Sequence, residues 1–224
     1  SSYCEYLQSN GSELVGKANV FISHAWKYYF LDVVKSLEHH FKDEAENVFI
    51  WFDLFSNNQH KAPNLPFEWW QGTFMNAIRN FGRVVMVLSP WNNPITFTRV
   101  WCLWEIYCAV ETNSKFEVAM TPEQFNSFIS DIVKDGGDFY KMLSNIDVKN
   151  SQCWIEQDKE RIFEVVKSSV GFDAVNQVVS GKMRQWVITA IDESIHQSQI
   201  TNWERTLAKI GLCYDLGNYD KGLT

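Results

Sequence analysis

RVVMVLSPWNNPITFTRVWCLWEIYCAVET, residues 83–112, is the stretch whose reading decides the fold. It opens on Arg83 to Leu88, a short apolar run of the kind a strand buried on both faces requires, and Ser89-Pro90 ends that run. A polar loop to Arg99 leads into an apolar segment, Trp101 to Thr112, that reads as a helix. The same alternation repeats outward in both directions. Ala18 to Ser23 (ANVFIS) and Val48 to Phe52 (VFIWF) are further buried-strand candidates, and Phe116 to Met120 is a fourth. Between them Leu31, Val34, Leu37, His40 and Phe41 recur at helical spacing, which predicts a helix over 28–42, and 67–81 reads as another. A breaker-rich loop, Ser56 to Pro66, precedes that second helix. Strands alternating with helices predict an α/β fold, a parallel sheet with helices on both faces.

Beyond Thr121, residues 123–133, 154–169 and 185–195 read as helices, and Ile146 to Val148 as an edge strand. Residues 196–203 (HQSQITNW) form a polar break. Leu207 to Leu223 resembles the opening of a tetratricopeptide repeat, with Ile-Gly, Tyr and Gly-Asn-Tyr in order; an ordinary C-terminal helix with a glycine cap is the alternative. These readings divide the chain into an N-terminal extension (1–16), an α/β domain (17–195, with its motifs in 17–120 and a helical remainder in 121–195) and a linker with a partial repeat-like helix pair (196–224).

Composition narrows the function classes. Twenty basic residues face 27 acidic ones, and no basic run occurs, so the electrostatic footprint of a nucleic-acid binder is missing. The longest apolar stretch, Val100 to Val110, is interrupted by Glu105 and is too short to span a bilayer. The N-terminus, Ser-Ser-Tyr-Cys-Glu, lacks the charged and apolar regions of a signal peptide. Cys4, Cys102, Cys108, Cys153 and Cys213 are scattered, with no C-x-x-C pair and no metal-ligand spacing to the histidines. Together these predict a reduced, metal-free, cytoplasmic protein without a membrane or nucleic-acid partner.

Glu105 stands alone among Trp101, Trp104, Ile106 and Tyr107. An ionised carboxylate buried there costs several kcal/mol. Either it has a buried partner, or it faces a cleft with its pKa raised, or it lies on an exposed helical stripe. Its helix follows the third strand. With strand order 2-1-3-4-5 the switch point lies between strands one and three, flanked by loops 24–29 and 89–99, where doubly wound sheets bind ligands.

VFISHAW at 20–26, VFIWFD at 48–53, VVMVLSP at 84–90 and WCLWEI at 101–106 together resemble the Toll/interleukin-1 receptor (TIR) domain family, in family order. The resemblance covers about half of the chain and is nearest to the NAD-cleaving and plant branches. It implies a doubly wound, flavodoxin-like five-stranded parallel sheet, here with a C-terminal helical extension. It places the catalytic glutamate on Glu105 and a nicotinamide-pocket aromatic on Trp101. The substrate-contacting loop after the first strand falls on His24, Ala25, Trp26 and Lys27, without the arginines some relatives carry there. Phe67 and Ser89 are further substrate-side positions, and Asp53, Asn58 and Lys61 fall on the loop that drives assembly. Lys27, Lys61 and Arg99 are the cations placed to meet a pyrophosphate; Asp53 also reads as a cap for the turn after its strand.

The activity implied is cleavage of the nicotinamide–ribose bond of NAD+, with NAD+ as substrate, no cofactor and activation by TIR–TIR self-association. A non-enzymatic TIR adaptor is the alternative from another class. An N-ribosyl enzyme acting on a different nucleotide or nucleoside is a third. The acid in WCLWE separates the first reading from the adaptor, because most adaptor-type relatives lack it.

Overall fold

The structure, a computed structural model, describes residues 1–44, 47–60, 67–134, 136–197 and 203–215; at 67–71, 195–197, 203–205 and 215 only the backbone is described. Strands β1 (Val20–Ser23), β2 (Ile50–Trp51), β3 (Arg83–Val87) and β4 (Lys115–Ala119) form one all-parallel sheet in the order β2-β1-β3-β4. In register, Phe21 lies opposite Val84 and Ser23 opposite Met86 across β1 and β3, and Val84 lies opposite Phe116 across β3 and β4. Every residue of β1 and all but the first of β3 are buried, as the continuous apolar runs require of strands covered on two sides.

The sheet has four strands among the described residues, not five. Ile146 to Val148 is the segment expected as the edge strand. There, the Val148 amide donates to Asn176 Oδ1 (2.9 Å), and its carbonyl accepts from the amide and hydroxyl of Ser151 (3.1 and 2.6 Å). With both backbone groups engaged locally, the segment cannot join a ladder. Its apolar pattern has another cause: Ile146 and Val148 bury their side chains in the core from a loop. β2 is also shorter than the run 48–52. The Phe52 amide turns to Ser56 Oγ (3.2 Å), in the short helix that follows.

The helices are α1 (Tyr3–Ser9), α2 (Phe30–His40), α3 (Asp53–Ser56), α4 (Phe67–Phe81), α5 (Val100–Glu111), α6 (Pro122–Lys134), α7 (Gly137–Ser144), α8 (Glu156–Ser169), α9 (Phe172–Gln197) and α10 (Trp203–Asp215). α2 covers one face of the sheet, enclosing Val20, Ile22, Val33, Val85, Val87 and Ala119. The opposite face, with Phe21, Val84 and Met86, is covered by α4, α5 and α9. Only the second half of α9 was legible as a helix. It is touched by α5, α8, α10 and β4, so its apolar residues point in several directions and no single stripe marks it. α10 packs on α9 and α6, burying Leu212 and Cys213 in the main core, while Lys209 Nζ meets Asp192 Oδ1 at 2.9 Å. The Gly-Asn-Tyr of the repeat-like motif lies outside the described residues. Among them, no helix is long and apolar enough to cross a membrane.

A charged knot fixes the amino-terminal end of the sheet. Arg83, opening β3, bonds Glu44 (2.6 Å) and Glu117 of β4 (2.5 Å), and lies over the Phe41 ring at 5.1 Å. Lys115 and His40 also face Glu117, at 2.9 and 3.5 Å. Burial opposes ionisation of Glu117, but the close approach of His40, Arg83 and Lys115 outweighs it and holds the carboxyl well below the usual carboxylate range. A group with a depressed folded pKa stabilises the fold above its unfolded pKa and loses that contribution as pH falls. Arg83→Met should therefore cost about 2–4 kcal/mol at pH 7. Its deficit against the wild type should narrow below about pH 4, both read from urea unfolding midpoints.

Candidate active site

The order β2-β1-β3-β4 places the switch point between β1 and β3, where the chain's path across the sheet reverses and the loops after the two strands diverge. One hydroxyl ties those loops together. Tyr28, in the loop after β1, accepts from the amides of Ser89 (3.2 Å) and Thr96 (3.3 Å) in the loop after β3. The Ser89-Pro90 bond is cis. The start of α5 is held from another side: Val100 N–H donates to the Gln152 carbonyl (3.0 Å), and the Gln152 amide donates back to Thr98 (2.7 Å). These bonds set the depth at which the second turn of α5 enters the site.

That turn carries Glu105. It is 8% exposed, and its Oε2 accepts a 2.5 Å hydrogen bond from the fully buried Ser23 Oγ at the carboxyl end of β1. Of the alternatives open to this acid, the exposed stripe is excluded, and a buried partner and a raised pKa occur together. Burial pushes its pKa up to about 8; the Ser23 hydroxyl opposes the rise and the Asp53 carboxylate adds to it. Among the described residues, no lysine or arginine pairs with it. The neighbouring thiols of Cys102 and Cys108 are driven upward by burial first and by Glu105 second, so they remain protonated. Cys4, Cys102, Cys108 and Cys153 are free thiols.

The residue after Ser23 begins a second polar cluster. His24 has a side chain 5% exposed, stacked on Phe52 with ring centroids 4.3 Å apart and planes 17° from parallel. Among the described residues its buried Nε2 has no hydrogen-bond partner, and Asp53 Oδ1 lies 3.6 Å from it. Burial lowers the imidazole pKa, and Asp53 partly offsets this. Asp53 is not the cap expected of it: α3 has Phe52 as its N-cap, without a side-chain bond, and Asp53, the first helical residue, accepts the Leu54 amide at Oδ1 (2.8 Å) and the Trp26 indole N–H at Oδ2 (2.6 Å). Trp26 is 61% exposed, so its bond to Asp53 holds it at the surface across the cluster. Asp53 thus acts electrostatically on both His24 and Glu105.

Of the other expected residues, Ala25 is buried and its carbonyl accepts the Tyr28 amide (2.9 Å), closing the turn. Lys27 is exposed. Trp101 is half-buried, edge-on to Phe74 of α4 at 5.2 Å and hydrogen-bonded to Asp158 of α8, which places it in the contact between those helices. Asn58 Oδ1 accepts the His60 amide (3.1 Å) in the loop beyond α3. Arg99 is the residue preceding the first turn of α5. Phe67 starts α4, but its side chain is outside the described residues, as is all of Lys61. Glu105, Ser23, His24, Asp53 and Trp26 are linked in one place, with Ser89 joined through Tyr28.

Ser23 and Tyr28 were not singled out from sequence. Ser23 carried a signal, because period two along β1 puts it on the same face as Phe21, where a hydroxyl under α5 needs a partner. Tyr28 carried none, since its role depends on the path of a loop 61 residues away. Among the described residues, no group of His, Cys, Asp or Glu is arranged to hold a metal ion. No family model matches the chain, and neither a curated protein nor a solved structure matches it significantly.

The burial of Glu105 has a measurable consequence. A carboxyl whose folded pKa lies above its unfolded value costs nothing below the unfolded pKa and progressively destabilises the fold as pH rises to the folded one. Glu105→Gln retains the shape and a hydrogen-bond acceptor for Ser23. It should leave stability nearly unchanged at pH 4.5 and raise it by a few kcal/mol at pH 8, at about 1.4 kcal/mol per pH unit in between. Thermal melts at the two pH values check this; an equal shift at both would place Glu105 in contact with solvent.

Proposed function

We infer that this chain is an NAD+ nucleosidase, cleaving the bond between nicotinamide and ribose to release nicotinamide and ADP-ribose or its cyclic form. One observation supports this above the rest: a lone carboxyl, buried and held by a serine hydroxyl, at the switch point of a parallel sheet. The four TIR-like motifs point to the same residue.

The chemistry suits the geometry. Nicotinamide in NAD+ is a cationic leaving group, so breaking its bond to the ribosyl carbon needs no acid. The electron pair leaves on the pyridine nitrogen and positive charge develops on the sugar, as in glycoside cleavage. The required group is a carboxylate beside that charge, and Glu105 fills this role once ionised. A neutral resting acid becomes ionised when the cation enters. A unit charge about 5 Å away at an effective dielectric near 20 contributes about 3 kcal/mol, roughly two pKa units, enough to bring Glu105 to about 6. A neutral dihydropyridine ring brings no such charge and leaves the acid protonated.

The assay is nicotinamide release from NAD+ by wild type and Glu105→Ala at high protein concentration. The variant should lose a factor of roughly 10²–10⁴; a folded variant retaining more than a tenth of the activity contradicts the assignment. The pH profiles should differ in a set direction. kcat/KM, which reports the free enzyme, rises with pH towards about 8 as Glu105 ionises. The rising limb of kcat lies at lower pH, because bound substrate favours the carboxylate.

A second reading, a cytoplasmic adaptor that signals by homotypic association, is favoured by a different observation. Trp26, Tyr29, Phe30, Leu31 and Phe55 are exposed around the first turn of α2 and the end of α3. The two readings are compatible if association activates cleavage, in which case specific activity rises with protein concentration. Silence of the wild type at every concentration would leave the adaptor.

A further inference from the structure

At the end of α5 remote from Glu105, its last turn and the middle of α9 enclose a groove of about 460 Å³. That volume is within the range of small-molecule sites. Gln177, Gly181 and Gln185 follow one another at spacings of four, so one face of α9 forms a wall, with Lys182 and Arg184 beside it. Asn113, just past the end of α5, lines the other side, and Val110 and Val178 supply apolar surface. None of the lining residues is acidic, so the groove carries two positive charges on a chain whose net charge is -7. These polar groups are uncommitted. Among the described residues, no hydrogen bond or ion pair engages the side chains of Asn113, Gln177, Lys182, Arg184 or Gln185.

Gly181 leaves the groove open. A Cβ built on it would meet nothing within 4 Å, so packing does not demand a glycine here, in a mid-helix position where glycine weakens the helix relative to alanine. Without a side chain, the α9 backbone is exposed to close approach by a flat ring.

We propose that this groove binds a nucleoside monophosphate, with the phosphate on Lys182 and Arg184 and the base over Gly181. Charge directs the first half: a phosphate dianion answers both cations, and a guanidinium can grip two of its oxygens. Shape directs the second. The groove is larger than inorganic phosphate fills, and the amides of Asn113, Gln177 and Gln185 offer both donors and acceptors to a base edge and ribose hydroxyls. None of these residues belongs to the Glu105 site, so the proposal stands apart from the nucleosidase reading.

The test is titration of the full nitrogen-15-labelled chain with AMP, GMP, CMP and UMP, and with adenosine and inorganic phosphate as the separate halves. At least one nucleotide should shift the Gly181 amide and the side-chain amides of Asn113, Gln177 and Gln185. It should bind about tenfold or more tightly than either half alone. Gly181→Leu directs a side chain into the open groove and should abolish the shifts at the three side-chain amides. Its melting temperature should hold or rise, since leucine is the better helix former. Lys182→Met and Arg184→Met should each weaken binding about tenfold; they provide the test if Gly181→Leu does not fold. Affinity no better than that of inorganic phosphate overturns the proposal, because a patch of surface charge gives that result. Failure of every nucleotide to bind at millimolar concentration overturns it too. So do shifts confined to the surroundings of Glu105, or binding unchanged in the folded variants.

Discussion

The 2.5 Å hydrogen bond from Ser23 to Glu105 joins the central strand of the sheet to the helix that closes its carboxyl end. Much of the surrounding architecture bears on that contact. Ser23 is the last residue of β1, opposite Met86 of β3, so the register of the two inner strands sets where the hydroxyl points. The backbone exchange between 98–100 and Gln152 sets where α5 starts, and hence which turn reaches the strand. Tyr28 fixes the two loops above it. An apolar helix in this position needs no acid for packing. The carboxyl carries a desolvation cost that a glutamine would avoid.

Asp53 gives the site its second constraint. It opens α3, holds Trp26 at the surface, faces the His24 ring and adds negative potential at Glu105. Two carboxyls with no lysine or arginine partner among the described residues make this a place that disfavours a second negative charge and favours a cation. The sign agrees with a pyridinium ring. On the nucleosidase reading, the phosphates of a dinucleotide would lie away from the carboxyl pair, on the side of the exposed Lys27.

Where the sequence was legible, local pattern and tertiary role coincided. Val84 to Leu88 is buried and continuously apolar, and α4 occupies the same residues as its periodicity, Phe67–Phe81. Glu105 stood out because a charge in an apolar helix is costly wherever it lies. Reading failed where apolar spacing served another purpose. Ile146 and Val148 alternate like strand residues but fill the core from a loop whose amide is taken by Asn176. α9 hides its first half because it is packed from several sides. Trp101 shares a helical stripe with Glu105 yet turns to Phe74 and Asp158, a preference set by helices distant in sequence. The link of His24 to Asp53 depends on how β2 ends, and the pattern gave no hint of it.

The central claim is that Glu105 rests as a neutral acid and ionises when a cationic ring enters. Carbon-13 NMR of glutamate-labelled protein, with Glu105→Gln to assign the resonance, measures it directly. Titration of the free protein should give a midpoint near 8 for this one carboxyl, moving down by roughly two units when a non-cleavable NAD+ analogue is bound. A midpoint near 4 in the free protein, or one that the cation leaves in place, would contradict the account.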